Sequence, residues 1–249
     1  MSIGLIVDGF RRIFSGPNVL AKQISLFALT GIVSLVSSHF EILKAQNSLP
    51  DFSNIGLAII AVIVIGIYMG GYVLNYMHNC YYDNNPEILP DIDGKHFGTF
   101  FGALPLYLVW FLWVILVYLL AIIPILGWIA LLVLFIMWVP FIQFIYIAYA
   151  KDFNTFGLYN IKLPIQYCKL AFGSVIVLGL LFIPIGICAM IPSFIVGLAL
   201  GFSGGSDTST AMYAGGLLGG YLGYVVQLVW AYCMVQVYKE KIEPNLNLG

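Results

Sequence analysis

Asn75, His78, Asn79, Asp91, Asp93 and His96 are the residues of this chain whose types and spacing come nearest to a chemical site. Carboxylate oxygens and imidazole nitrogens are acceptable ligands for manganese, zinc or magnesium. Asp91-Ile92-Asp93 with His96, joined by His78 and Asp83, is therefore a candidate cation site. Its spacing fits no established metal motif: there is no HExxH, no calcium loop with its central glycine, and no HxE followed by CxxC. The stretch also lacks a Ser, Cys or Lys nucleophile beside a positioned base. A plainer reading has Asp91 and Asp93 capping a helix, where carboxylates accept the free amides of the first turn. Asn75 and Asn79 stand four apart on one helical face with His78 beside them, where a hydrophobic helix runs into a polar loop. Such a position suits headgroups and water as well as a ligand. These six residues stand as candidate ligand contacts, with no catalytic residue, metal or cofactor expected.

The elements that must position them are lipid-grade. Of 249 residues, 61% are hydrophobic and only 8% charged, and the mean hydropathy is +1.00. Soluble domains carry about a quarter charged residues, so a water-soluble core is excluded. A net charge of -1 argues against nucleic acid, which needs a concentrated basic surface. Cys80, Cys168, Cys188 and Cys233 show no CxxC spacing and read as reduced packing residues.

Charges delimit the spans. No Asp, Glu, Lys or Arg occurs in 23–40, 52–82, 96–150, 170–206 or 208–238. A spanning helix needs about 20 apolar residues, so the longest window holds two spans. The expected fold is an all-α multi-pass membrane protein in one domain, 1–249. Its six transmembrane helices lie near 20–40, 55–79, 101–123, 126–150, 170–200 and 212–238. The turn between the third and fourth falls at Ile123-Pro124-Ile125-Leu126-Gly127, and Pro184 and Pro192 predict a kinked or partly re-entrant fifth segment.

Residues 1–16 are not a secretory signal, because the apolar Ile3–Val7 run precedes Asp8, Arg11 and Arg12. Ile3, Ile6, Phe10 and Ile13 recur at helical spacing, which predicts an amphipathic helix in the membrane surface with Arg11 and Arg12 toward lipid phosphates. With six spans both termini share a side, and that side collects all the basic residues except Lys44. The positive-inside rule makes it the cytoplasmic face of the cell membrane.

Glycines recur at every fourth position: Gly66 and Gly70; Gly215, Gly219 and Gly223; and Gly197 and Gly201 after Ser193. In lipid, helices associate through close backbone approach, so these read as helix-packing faces. They also offer a surface for partner membrane proteins or a second copy of the chain. Leu89-Pro90-Asp91-Ile92 before Phe97-Gly98 is echoed by Leu163-Pro164-Ile165 before Phe172-Gly173. Three repeats of a surface helix plus a hairpin would explain the echo.

An N-terminal surface helix, six hydrophobic segments, Gly70-Gly71-Tyr72 and then Leu89-Pro90-Asp91-Ile92-Asp93 through Gly102 make a pattern. It resembles an uncharacterised family of prokaryotic six-helix integral membrane proteins, a domain of unknown function. The resemblance implies architecture and membrane location, and no established activity. The functional expectation is a non-enzymatic integral protein of the cytoplasmic membrane that associates with the lipid bilayer or partner membrane proteins. Two alternatives stay open: a small-molecule or lipid transporter, and a membrane-embedded metal-dependent enzyme using the 78–96 loop.

Overall fold

A computed structural model describes residues 3–45, 52–82, 88–120, 127–129, 139–160, 162–202 and 208–246. Among them the regular structure is helical throughout: α1 (Ile3–Ile13), α2 (Val19–Ala45), α3 (Phe52–Tyr82), α4 (Lys95–Leu120), α5 (Val139–Asp152), α6 (Lys162–Phe202) and α7 (Thr208–Val237). A π turn over Tyr238–Ile242 then leads into the short α8 (Glu243–Leu246). Five helices, α2, α3, α4, α6 and α7, are long and apolar enough to cross a membrane. Of the expected fourth span, 126–150, residues 126 and 130–138 lie outside the described residues, as do the turn at Pro124, Asp83 and the 203–207 stretch.

Two helices begin earlier than the charge pattern suggests. The segments expected as separate second and third surface helices, around 89–98 and 163–173, are continuous with the spans: α4 starts at Lys95 and α6 at Lys162. Only α1 stands apart as a surface helix, so the described residues do not show a threefold unit. Helix α6 also runs unbroken through Pro184 and Pro192 for 41 residues, about 60 Å at 1.5 Å per residue, rather than turning back. A proline removes one backbone hydrogen bond and the helix continues on the others.

Helix α7 is the centre of the bundle, packing along α6 and α2 and touching α1, α3 and α5. Glycine makes this possible on two of its faces. A Cβ at Gly215 or Gly219 would meet Ser193 of α6, at 3.3 Å from its carbonyl oxygen and 3.2 Å from its Oγ. On the next face, a Cβ at Gly216 would lie 2.6 Å from Ser38 Oγ of α2, and one at Gly220 would collide with Ser34 Oγ. The closest crossing lies elsewhere, where the Gly71 Cα of α3 rests against the His96 carbonyl of α4 and leaves no room for any side chain.

The outer surface is apolar. Leu180, Ile183, Ile187, Met190, Phe194 and Ile195 of α6 are exposed, as are Leu57, Ile60 and Ile63 of α3. A continuous apolar exterior with satisfied helical backbones is the solution that hydrocarbon demands. One end of the bundle is basic. Contacts join Lys22, Lys95, Lys151 and the C-terminal turn there, whereas Lys44 lies about 33 Å further along α2.

Helix α1 docks at the basic end differently from the sequence expectation. Ile6, Gly9 and Ile13 form its buried face, and a Cβ at Gly9 would meet Tyr232 of α7 at 3.0 Å. Ile3 is exposed instead, together with Val7 and Phe14. Arg12 bridges to Asp8 at 3.1 Å and lies over the Tyr232 ring. Arg11 is exposed.

Candidate functional site

The polar residues singled out from the sequence gather at the basic end around an irregular segment, Ile88–Asp91, whose first three residues are buried. Such a segment has no ladder or helix to satisfy its carbonyls, and a buried orphan costs about 1–3 kcal/mol. Here four successive carbonyls are each taken by a side chain. Asn79 Nδ2 donates to Ile88 O at 3.1 Å, and Lys22 Nζ to Leu89 O at 2.8 Å. Tyr72 Oη donates to Pro90 O at 3.3 Å, and His96 Nε2 to Asp91 O at 2.7 Å.

His96 is the pin of this arrangement. It is 1% exposed, flanked edge-on by Tyr68 and Tyr72 with both ring centroids 5.1 Å away. Because Asp91 O can only accept, Nε2 carries the proton and Nδ1 accepts from Asn75 Nδ2 at 2.9 Å. Asn75 shares the same amide with Thr99 Oγ1 and the Gly71 carbonyl. His78 turns the other way, donating from Nδ1 to Ala150 O at 2.7 Å and stacking on Phe153. Both imidazoles are therefore oriented by backbone oxygens.

The two carboxylates differ in role. Asp93 caps as expected, its Oδ1 accepting the Lys95 amide at 3.0 Å. Burial opposes its ionisation, but the Lys95 amide and ammonium outweigh that and hold its pKa below the usual range. Asp91 does not cap. Its Oδ1 faces Lys22 Nζ at 3.0 Å, tying α2 to the α3–α4 connection. Lys22, only 6% exposed, and Lys95 belong to this cluster as well, although in the sequence they stand out only as charges that delimit the spans. Asn75, His78, Asn79, Asp91 and His96 line a polar cavity of about 330 Å³ with Lys22 and Lys95; Asp93 lies outside that lining. Among the described residues no three His, Cys, Asp or Glu side chains come together as metal ligands would.

A larger cavity, about 700 Å³ and open to the exterior, lies between α2, α3 and α7, with α4 and α5 contributing Tyr107, Gln143 and Tyr146. That is the size of a small-molecule site. On α3 it runs from Ile65 to Met77, and on α7 from Gly219 to Ala231, about 18 Å on each helix. Gly66 and Gly223 were expected as packing glycines. A Cβ at either would meet no atom within 4 Å, so both border open space in this cavity. A Cβ at Gly197, on α6 and outside this lining, likewise meets nothing within 4 Å, while Gly70 packs on the Phe100 ring and Gly201 falls among residues whose side-chain surroundings are not described. The cavity's described lining carries no charged side chain; its polar members include Thr30, Ser34, Gln143, Tyr224 and Gln227.

A third cluster closes the basic end. Glu243 accepts from Lys151 Nζ at 2.7 Å and from the Tyr81 hydroxyl, and the hydrogen bond to Glu243 holds the Lys151 pKa above its usual range. No family model, curated protein or solved structure matches the chain.

Proposed function

We propose that this chain is a non-enzymatic, multi-pass protein of the cytoplasmic membrane that binds a lipid in the cavity between α2, α3 and α7. The observation that carries the reading is the pair Gly66 and Gly223. At positions where a side chain would fit without displacing anything, the chain has none, and an uncharged volume of about 700 Å³ is left at membrane depth. Unfilled apolar volume forfeits dispersion contacts, so an acyl chain entering it from the bilayer gains what the protein leaves unmade. The bias of basic residues toward one end supports both termini being cytoplasmic, with α1 lying in the inner surface on Ile3, Val7 and Phe14. The polar cluster around Ile88–Asp91 supports no reaction, because its donors are directed to backbone oxygens.

The test is to purify the native chain and a Gly66→Leu/Gly223→Leu form in mild detergent, then identify retained lipid by native mass spectrometry. We expect a stoichiometric lipid on the native chain and its loss from the filled form, which stays folded because both sites are open. Equal retention by the two forms contradicts the reading.

A further inference from the structure

In the polar cavity at the basic end, the amide and imidazole donors are spent on the protein and acceptors are left over. The Ile88 carbonyl can only accept, so Asn79 presents its NH2 group to it and keeps Oδ1 in reserve. The Gly71 carbonyl orients Asn75 in the same sense, and Thr99 Oγ1 and His96 Nδ1 share that NH2 group. His78 gives its Nδ1 proton to Ala150 O, which leaves Nε2 of the neutral ring as an acceptor. Asn75 Oδ1, Asn79 Oδ1 and His78 Nε2 therefore have no partner among the described residues, and none of them is among the polar atoms sealed from solvent. At i, i+3 and i+4 their residues share one face of α3, and all three line the same volume of about 330 Å³.

The charges beside these acceptors restrict what can use them. Lys22, Lys95 and Asp91 line the cavity too, and the Lys95 ammonium, 72% exposed, spends one N–H on Asp93 at 2.7 Å and has others to offer at the rim. A divalent metal ion would sit against two ammonium groups, and a simple anion would face three acceptors. A molecule with an N–H-bearing positive end and an acidic end meets neither conflict. Leu89, Pro90 and Phe153 add an apolar wall.

We propose that this cavity binds a small soluble zwitterion with the chemistry of a free α-amino acid whose side chain is uncharged. Its ammonium donates to Asn75 Oδ1, Asn79 Oδ1 and His78 Nε2, and its carboxylate accepts from Lys95. The ligand enters from the aqueous side, where the Lys95 and Asp91 side chains stand exposed. This site is separate from the lipid cavity and does not depend on it.

The test titrates the full-length protein in detergent with alanine, leucine and glutamine, and reads saturable binding by thermal shift and by isothermal calorimetry. N,N,N-trimethylglycine, which keeps both charges but has no N–H, glycerophosphoethanolamine, which is the same ammonium on a lipid head, and magnesium chloride are the controls. We expect at least one of the amino acids to bind, and each control to bind at least about tenfold more weakly than it does. Lys95→Met, a change at an exposed side chain, and His78→Phe, which keeps a ring against Phe153, each weaken the amino acid by roughly tenfold, the size of one hydrogen bond to a charged group. Gly66→Leu/Gly223→Leu binds it as the native chain does, so a failure of the lipid reading and a failure of this one are told apart. No binding by any of the three amino acids overturns the assignment. So does any control binding as tightly as the best amino acid, or Lys95→Met and His78→Phe both binding like the native chain.

Discussion

Around Leu89 the protein directs Lys22, Tyr72, Asn79 and His96 onto its own backbone, whereas between α2, α3 and α7 it omits side chains at Gly66 and Gly223 and leaves space. The first region has the residue types of an active site and uses them to hold a connection in place. The second has little chemistry in its residue types and keeps a volume that a bilayer component can enter. On the proposed reading, the difference teaches that in a membrane chain the polar cluster and the lipid cavity need not coincide. A buried irregular segment consumes polar side chains simply to satisfy its carbonyls.

Several substitutions sharpen this contrast. The largest effect is expected from Gly71→Ala, because a Cβ there collides with the His96 carbonyl and the backbones of α3 and α4 must separate. A loss of about 3 kcal/mol, at the upper end for overpacking, should appear as heat-induced loss of the monodisperse peak in size-exclusion chromatography. Next comes His96→Leu, which keeps the volume while leaving Asp91 O and Asn75 short of a partner. We expect about 2 kcal/mol of destabilisation by the same assay. Lys22→Met should cost a similar or slightly smaller amount through Leu89 O and the exposed Asp91 carboxylate. None of these three should reduce lipid retention in protein that remains folded.

Gly220→Ala tests the seam between α2 and α7. Its Cβ would overlap Ser34 Oγ, an atom at the end of a rotatable side chain, so the cost should be about 1 kcal/mol and should shrink in Gly220→Ala/Ser34→Ala. The smallest effect concerns pH. The Asp93 carboxyl has a lowered pKa in the folded protein, so its stabilisation is present above the unfolded carboxylate value of about 3.9 and fades as pH falls through the folded one. Asp93→Asn should flatten the acid limb of a stability curve measured below about pH 5 and slightly lower stability near neutrality, where the contribution of the native carboxylate is fully present.

Much of the architecture was legible from charge spacing alone. The limits of α3 and α7 follow the charge-free windows closely, because a charge inside hydrocarbon is expensive, whereas α2 runs past its window at both ends to include Lys22, Glu41 and Lys44. The starts of α4 and α6 were not legible. Lys95 and Lys162 are polar enough to suggest a surface segment, yet a helix continues through an interface without any change in backbone geometry. The cluster of Asn75, His78, Asn79, Asp91 and His96 was recognisable as a cluster. Its role was hidden, because the groups these residues satisfy are mainly backbone carbonyls, which leave no mark on the sequence. Glycine spacing was similarly ambiguous. Gly66 and Gly70 share one periodicity, but only Gly70 meets a neighbour, and Gly71 makes the closest approach. Which glycine faces a helix and which faces a void depends on crossing angles that spacing does not encode.

The most direct test places the two regions in a single experiment. Native chain, Gly66→Leu/Gly223→Leu and Asn79→Leu are purified together, and each is measured for retained lipid by native mass spectrometry and for thermal stability. The account predicts that lipid disappears only from the glycine-filled form, and that stability drops only in Asn79→Leu, by about 1–2 kcal/mol through the orphaned Ile88 carbonyl. Lipid lost from folded Asn79→Leu and kept by the glycine-filled form would contradict it, and would return the binding site to the polar end.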